Sequence, residues 1–205
     1  LHDINPLRAS WIDQFSEVRG KKLIDVGCGG GLLSEAMAHR GATVTGIDMG
    51  EAPLSVAKIH LLESRLDIDY RQTTAETIAE ERPAAYDVVT CLEMLEHVPD
   101  PSKVIQACAD MAKPGADLYF STINRNPKAW LFAIVGAEYV LNLLPKGTHE
   151  YDKLIKPSEL ARWARAAGLT VEAMIGLTYN PITKHYRLVE GDVSVNYMIR
   201  ASKSA

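Results

Sequence analysis

The stretch Ile24–Gly31, reading IDVGCGGG, limits what this chain can become more than any other segment. An apolar run, KLIDV, enters it and a helically spaced segment, LLSEAMAHRG, leaves it and closes on Gly41. Glycines let a backbone turn sharply and approach a ligand that a Cβ would push away. A buried strand that turns through glycines straight into a helix is the first half of a parallel βαβ unit. The alternation then continues. ATVTGID reads as a second strand, APLSVAKIHLLES as a helix with Pro53 near its first turn, and IDYRQT as a third strand. YDVVTCLE is a fourth strand, PSKVIQACADMAKPG a helix ending at Pro-Gly, and ADLYFSTI a fifth strand. A helix near Pro157–Ala167, a strand LTVEAMIG and a last strand VSVNYMIRAS complete the chain. This pattern predicts an α/β fold with a mostly parallel sheet and helices on both faces. The last two strands have no helix between them, so they are expected to pair antiparallel at one edge.

At 205 residues the chain suits a single domain, residues 1–205, with a full core. A net charge of −4 gives no electrostatic reason to expect nucleic acid. Cys28, Cys91 and Cys108 form no CxxC pair, which fits neither a disulfide framework nor a zinc site and points to a reducing cytoplasm. No apolar run reaches the ~20 residues of a membrane-spanning helix. The sequence opens LHDINPLR without Met, so a further N-terminal piece is expected.

The glycine spacing is G-x-G-x-G, with Asp25 two residues before Gly27, and Gly29 and Gly31 following. A nicotinamide-binding fingerprint, G-x-G-x-x-G, would require glycine at position 32, which is Leu32. Asp48 closes the second strand, 21 residues after Gly27, where a carboxylate can accept from both hydroxyls of a ribose. A glycine turn without a ligand would leave Asp48 without a role. Glycine loop, acid-ended second strand and antiparallel ending together resemble the class I methyltransferases that use S-adenosylmethionine. That resemblance implies a Rossmann-like, seven-stranded sheet with an antiparallel last strand.

CLEMLEHVPDP follows the fourth strand, where ligands sit in open α/β sheets. If Glu93 to His97 form one helical turn, Glu93, Glu96 and His97 share a face by their i, i+3 and i+4 spacing. Two carboxylates and an imidazole there suit Mg²⁺ better than a thiolate-preferring metal. The alternative is a loop hydrogen bond for His97, with the carboxylates capping or solvated.

DINPLR, DVGCGGGLL, LEMLEHVPDP, STINRNPKAW, LPKGTHEYDKLIKP and LTYNPIT together resemble the ubiquinone-biosynthesis O-methyltransferase family across the whole chain. The resemblance implies methyl transfer from S-adenosylmethionine to a phenolic hydroxyl of a polyprenylated catechol or quinol. It implies that Arg8 reaches the cofactor's carboxylate, Gly27 its methionine part, Asp48 its ribose, and Leu92 touches it through the backbone. Asp25 and Gly29 belong to the same cofactor loop. It also implies Mg²⁺ at Glu93, Glu96 and His97, and other enzymes of the pathway as candidate partners. A metal bound to both catechol oxygens would lower their pKa. Without metal, His97 is the natural general base. Thr122, Asn124, His149, Tyr179 and Asn180 are candidate walls of the substrate pocket, each with loop hydrogen bonding as the alternative. Rival activities are methyl transfer to another small phenol or to carbon, and a non-catalytic lipid-binding subunit.

Residues 124–156 span 33 positions where connections usually run ~4–6, so they are expected to be an insertion. Within it, AWLFAIVGAEYVLNLL is apolar on nearly every side. Such a helix is either buried or in contact with lipid. An active-site cover or a dimer contact is one reading. The polyprenyl substrate implied by the resemblance favours the other, a lid at an anionic membrane surface. There Trp130, Leu131, Phe132, Ile134 and Val135 would dip into the interface, and Arg125, Lys128 and Lys146 would sit among headgroups. The expected location is cytoplasmic, peripheral to the inner face of the membrane.

Overall fold

Among the described residues the strands pair into one sheet, in the spatial order Ile68–Gln72, Thr43–Asp48, Lys22–Val26, Tyr86–Leu92, Ala112–Ile123, Asn196–Lys203, Leu169–Asn180 and His185–Glu190. The computed structural model describes residues 3–129, 151–180 and 185–205. Strands β1 (Lys22–Val26), β2 (Thr43–Asp48), β3 (Ile68–Gln72), β4 (Tyr86–Leu92) and β5 (Ala112–Ile123) run parallel. β8 (Asn196–Lys203) lies antiparallel between β5 and β6 (Leu169–Asn180), and β7 (His185–Glu190) closes the edge as the second strand of a hairpin. β1 is buried over four of its five residues because helices cover both faces of the sheet.

Neighbouring residues of β1 feed opposite layers. Ile24 and Val26 pack with Ile78, Ile105 and Leu160, which come from α4 (Ala75–Glu81), α5 (Pro101–Met111) and α7 (Pro157–Ala166). Leu23 packs with Ile12, Met37 and Leu54 from α1 (Asn5–Ser16), α2 (Leu32–His39) and α3 (Glu51–Ser64). A short turn, α6 (Pro127–Ala129), follows β5. α1 is pinned to β5 at the middle and at the C-terminal end of its buried stripe. Trp11 meets Tyr119 edge-on at 5.5 Å, and Ser16 Oγ bonds both the Asp117 carboxylate (2.8 Å) and Tyr119 OH (2.7 Å).

The expected strands are present and the last two, β6 and β8, pair antiparallel, with three differences, the first of which takes the sheet edge from them. The sheet has eight strands rather than seven, because His185–Glu190 pairs with β6. Helices α1 and α4, not singled out in the sequence, fill the layers. α5 stops at Met111, and Lys113, Pro114 and Gly115, expected to end that helix, belong to β5. Proline clashes with a preceding helical turn and drives the residue before it to extended backbone, so the strand begins earlier than the Pro-Gly pair suggested. Trp130, Leu131, Phe132, Ile134, Val135, Lys146 and His149, and the side chain of Lys128, lie outside the described residues. Among the described residues no helix is long and apolar enough to cross a membrane.

Candidate active site

The glycine loop is required by its surroundings. Gly27 has φ +73, and a Cβ there would stand 2.5 Å from Met94 Cγ. Gly31 has φ +83, and its Cβ would meet Tyr70 OH at 2.2 Å. No L side chain fits either position without displacing a neighbour. The backbone N–H groups of Gly27 and Cys28 both donate to Ile47 O, at 2.8 and 3.0 Å, so the loop is stitched to β2. Asp48 completes this join: Oδ2 accepts from Gly29 N–H at 2.9 Å and Oδ1 from Gly50 N–H at 2.7 Å. Each oxygen keeps a further lone pair for a ligand hydroxyl.

Asp25 stands beneath the loop. Its carboxylate is buried and accepts from Ser34 Oγ (2.7 Å) and Thr90 Oγ1 (2.8 Å). Burial pushes its pKa up while the two hydroxyls oppose the shift. Asp25 therefore ties β1 to α2 and β4 and supports the loop from below. Leu92 ends β4 half-buried, opposite Ser121 of β5.

A cavity of about 530 Å³ opens over the strand ends, lined by Gly27, Asp48, Thr74, Met94, His97 and Lys103 among others. That volume lies in the range of small-molecule sites. His97 is exposed and faces this cavity, and its N–H donates to Met94 O at 3.0 Å.

Glu93, Glu96 and His97 do not share one helical face. Glu93 has a left-handed backbone, φ 54, and the helical turn spans Leu95–His97 only. The three side chains part accordingly. Glu93 accepts from Arg8 Nη2 at 2.6 Å, from Ser121 Oγ at 2.8 Å and from Asn196 Nδ2 at 3.0 Å to each oxygen. Glu96 points inward, 3% exposed, with Oε2 accepting from Thr122 Oγ1 at 2.8 Å. Burial first, and then the Glu93 charge, pushes its pKa up to about 8. Among the described residues no group of three His, Cys, Asp or Glu side chains is placed to hold a metal. The donor chemistry suits Mg²⁺, but the turn that would converge the donors is not formed.

Arg8 is buried against Glu93 and, more distantly, Asn196 Oδ1 (3.5 Å). Thr122 is engaged with Glu96, and Asn124 Nδ2 donates to Val193 O at 2.8 Å. Tyr179 is half exposed and stacks at a tilt on Tyr186, 4.8 Å between centroids, and Asn180 pairs with His185 at the end of the hairpin. The candidates thus fall into three places: Gly27, Asp48 and His97 around the cavity, Arg8 with Glu93 and Glu96 with Thr122 beside the ends of β4 and β5, and Tyr179 with Asn180 on the edge hairpin. Sequence reasoning missed Met94, Ser121 and Asn196. Ser121 stood in the quoted STIN block, but nothing in the local sequence marks Asn196.

A methyltransferase-domain family profile matches residues 1–174. The ubiquinone biosynthesis O-methyltransferase of Pseudomonas syringae pv. tomato is 68% identical over 205 residues, covering all of this chain and 88% of that protein. That of Pseudomonas fluorescens Pf0-1 is 70% identical over 98% of this chain and 86% of its own length. The chain belongs to the ubiquinone biosynthesis O-methyltransferase family. A solved structure of magnesium protoporphyrin IX methyltransferase from Synechocystis PCC 6803, with bound SAH, shares the fold. It matches at TM-score 0.71 and 20% identity, over 98% of this chain and 82% of its own. Membership gives the glycine loop and Asp48 a methyltransferase context that their spacing alone left general.

Proposed function

We propose that this chain transfers methyl from S-adenosylmethionine to a phenolic hydroxyl of a polyprenylated catechol or demethylubiquinol in ubiquinone biosynthesis. The observation that carries the reading is the cavity over the strand ends. Its glycine loop excludes a Cβ, Asp48 stands at one wall, and His97 faces in from another. These residues fit the cofactor. Asp48 offers acceptors to a ribose and Gly27 admits the methionine part. Arg8, whose hydrogen bonds among the described residues all use Nη2, keeps an edge for a carboxylate. When bound, S-adenosylmethionine supplies an electrophilic methyl on a sulfonium that loses its charge in an in-line displacement.

The protein's tasks are to position and deprotonate. A phenol is a weak nucleophile until its proton leaves, and among the titratable groups lining the cavity the His97 imidazole has the ordinary pKa nearest neutrality. Glu96 and Thr122 lie behind it and hold the turn against β5. Mg²⁺ at Glu93, Glu96 and His97 is supported by family resemblance alone. Glu93 would have to leave Arg8, and no step here depends on the metal. The inserted segment 124–156 is proposed as a lid that meets the prenyl tail at an anionic membrane surface, on the cytoplasmic side.

The test is methyl transfer to a short-chain prenyl catechol, with and without EDTA, in the unmodified protein and in His97→Ala. Product is expected with the unmodified protein, and His97→Ala is expected to lose about 100-fold or more in turnover while still binding S-adenosylhomocysteine. No product with any catechol would overturn the reading. Near-normal turnover in His97→Ala would remove His97 as base, and insensitivity to EDTA would retire the metal.

A further inference from the structure

The acid expected to ligate a metal is instead the centre of a clasp joining three distant parts of the chain. Arg8 on α1 is 6% exposed, so its charge needs a partner, and Glu93 supplies one at 2.6 Å. Glu93 is itself held. The sheet register sets Leu92 opposite Ser121 and Ile123 opposite Asn196, which brings both side chains to the end of β4. Ser121 Oγ donates to Oε1 at 2.8 Å, and Asn196 Nδ2 spans both carboxylate oxygens at 3.0 Å each. Asn196 also turns its Oδ1 toward Arg8 Nη2, at 3.5 Å. A guanidinium is planar, with five donors in a fixed fork. Fixing one nitrogen against a locked carboxylate orients the whole plane.

We propose that Ser121 and Asn196 are positioning residues for cofactor recognition. They lock Glu93 so that it grips one nitrogen of Arg8 and leaves the other edge of the guanidinium set for a ligand carboxylate. The proposal rests on the reading above that Arg8 receives the amino-acid carboxylate of S-adenosylmethionine. The neutral donors matter because a carboxylate held by Arg8 alone would follow the guanidinium rather than orient it. Ordering a long side chain before the ligand arrives spares that cost on binding. The lock therefore acts on ligands that carry the carboxylate and not on those that lack it.

Calorimetric titration of two ligands tests this. S-adenosylhomocysteine carries the amino-acid carboxylate, whereas 5′-methylthioadenosine keeps the adenosine and sulfur without it. In both Asn196→Ala and Ser121→Ala, affinity for S-adenosylhomocysteine is expected to fall about tenfold, with 5′-methylthioadenosine changing less than about twofold. Ser121→Thr, which keeps the hydroxyl, is expected to restore S-adenosylhomocysteine binding. Unchanged binding of S-adenosylhomocysteine in the alanine variants, or equal losses for both ligands, would overturn the proposal. Should Asn196→Ala not fold, the Ser121 pair carries the same comparison. Failure of the unmodified protein to bind S-adenosylhomocysteine would instead overturn the functional reading.

Discussion

Glu96 is the residue whose burial has the plainest thermodynamic consequence. Thr122 satisfies Oε2, but among the described residues Oε1 has no hydrogen-bond partner. Asp25, equally buried, has a hydroxyl on each carboxylate oxygen. With its pKa pushed up to about 8, Glu96 is largely the neutral acid at pH 7 in the folded protein. The unfolded chain releases that proton near the ordinary glutamate value of about 4.3. Between those values the folded state binds more protons than the unfolded state. Stability is therefore greatest below the lower value and falls as pH rises toward about 8. Glu96→Gln cannot ionise and escapes that loss. At pH 9 the variant is expected to be more stable than the unmodified protein by roughly 1–3 kcal/mol, with the difference closing at pH 4. Thermal unfolding at both pH values reads this directly, and a difference independent of pH would show that Glu96 does not titrate in this way.

Elements of the site differ in what holds them in place. α4 has seven residues, too few to be stable alone, and it forms part of the cavity wall at its start. It is retained by burying Ala75, Ile78 and Ala79 and by its cap, in which Thr74 Oγ1 accepts from Thr77 N–H at 3.1 Å. Thr74→Ala is expected to lower the unfolding free energy by about 1 kcal/mol, and Thr74→Ser by no more than a few tenths. Urea unfolding measures both, and an unchanged midpoint in Thr74→Ala would assign the helix to packing alone. The same contrast explains what could be read from the sequence. β1 to β5, α2 and α3 follow apolar periods long enough to be recognised. α4 is brief, and β7 buries no residue of HYRLVE fully, so its short alternation of Tyr186 and Leu188 with polar neighbours is a weak signal. The glycine loop and Asp48 stand on successive strands and could be paired by spacing. Glu93 lies 85 residues from Arg8 and 103 from Asn196, and only the assembled sheet brings them together. The helical turn expected at Glu93 failed for a related reason. Its carboxylate is claimed by β5, β8 and α1, and its backbone turns left-handed where a helix would have begun.

At the scale of the whole molecule, parallel strands gather their C-terminal ends on one edge of the sheet, and the cavity lies there. The inserted segment leaves and rejoins the fold at that same edge. Asn124 N–H donates to Val195 O at 2.7 Å as the chain exits, Ile155 N–H donates to Ile123 O at 3.1 Å as it returns, and Arg125 pairs with Glu159. The residues just before the exit, Ser121 and Thr122, bond Glu93 and Glu96. Both flanks are thus fixed beside the strand ends, while the apolar sequence between them lies outside the described residues, and its proposed role as a lid for the prenyl tail is tested directly. On the proposal that the segment is a lid meeting the prenyl tail in lipid, Trp130 and Phe132 would be its aromatic contacts. The double replacement Trp130→Ser and Phe132→Ser is expected to reduce binding to anionic liposomes about tenfold while sparing turnover of a water-soluble catechol. Co-sedimentation and a soluble-substrate assay on the same preparation separate the two readings. Unchanged liposome binding, or an equal loss of soluble-catechol turnover, would make the segment a cover for the active site instead. Loss confined to liposomes and to prenylated substrate would tie the insertion to the membrane, because only the tail distinguishes the two substrates.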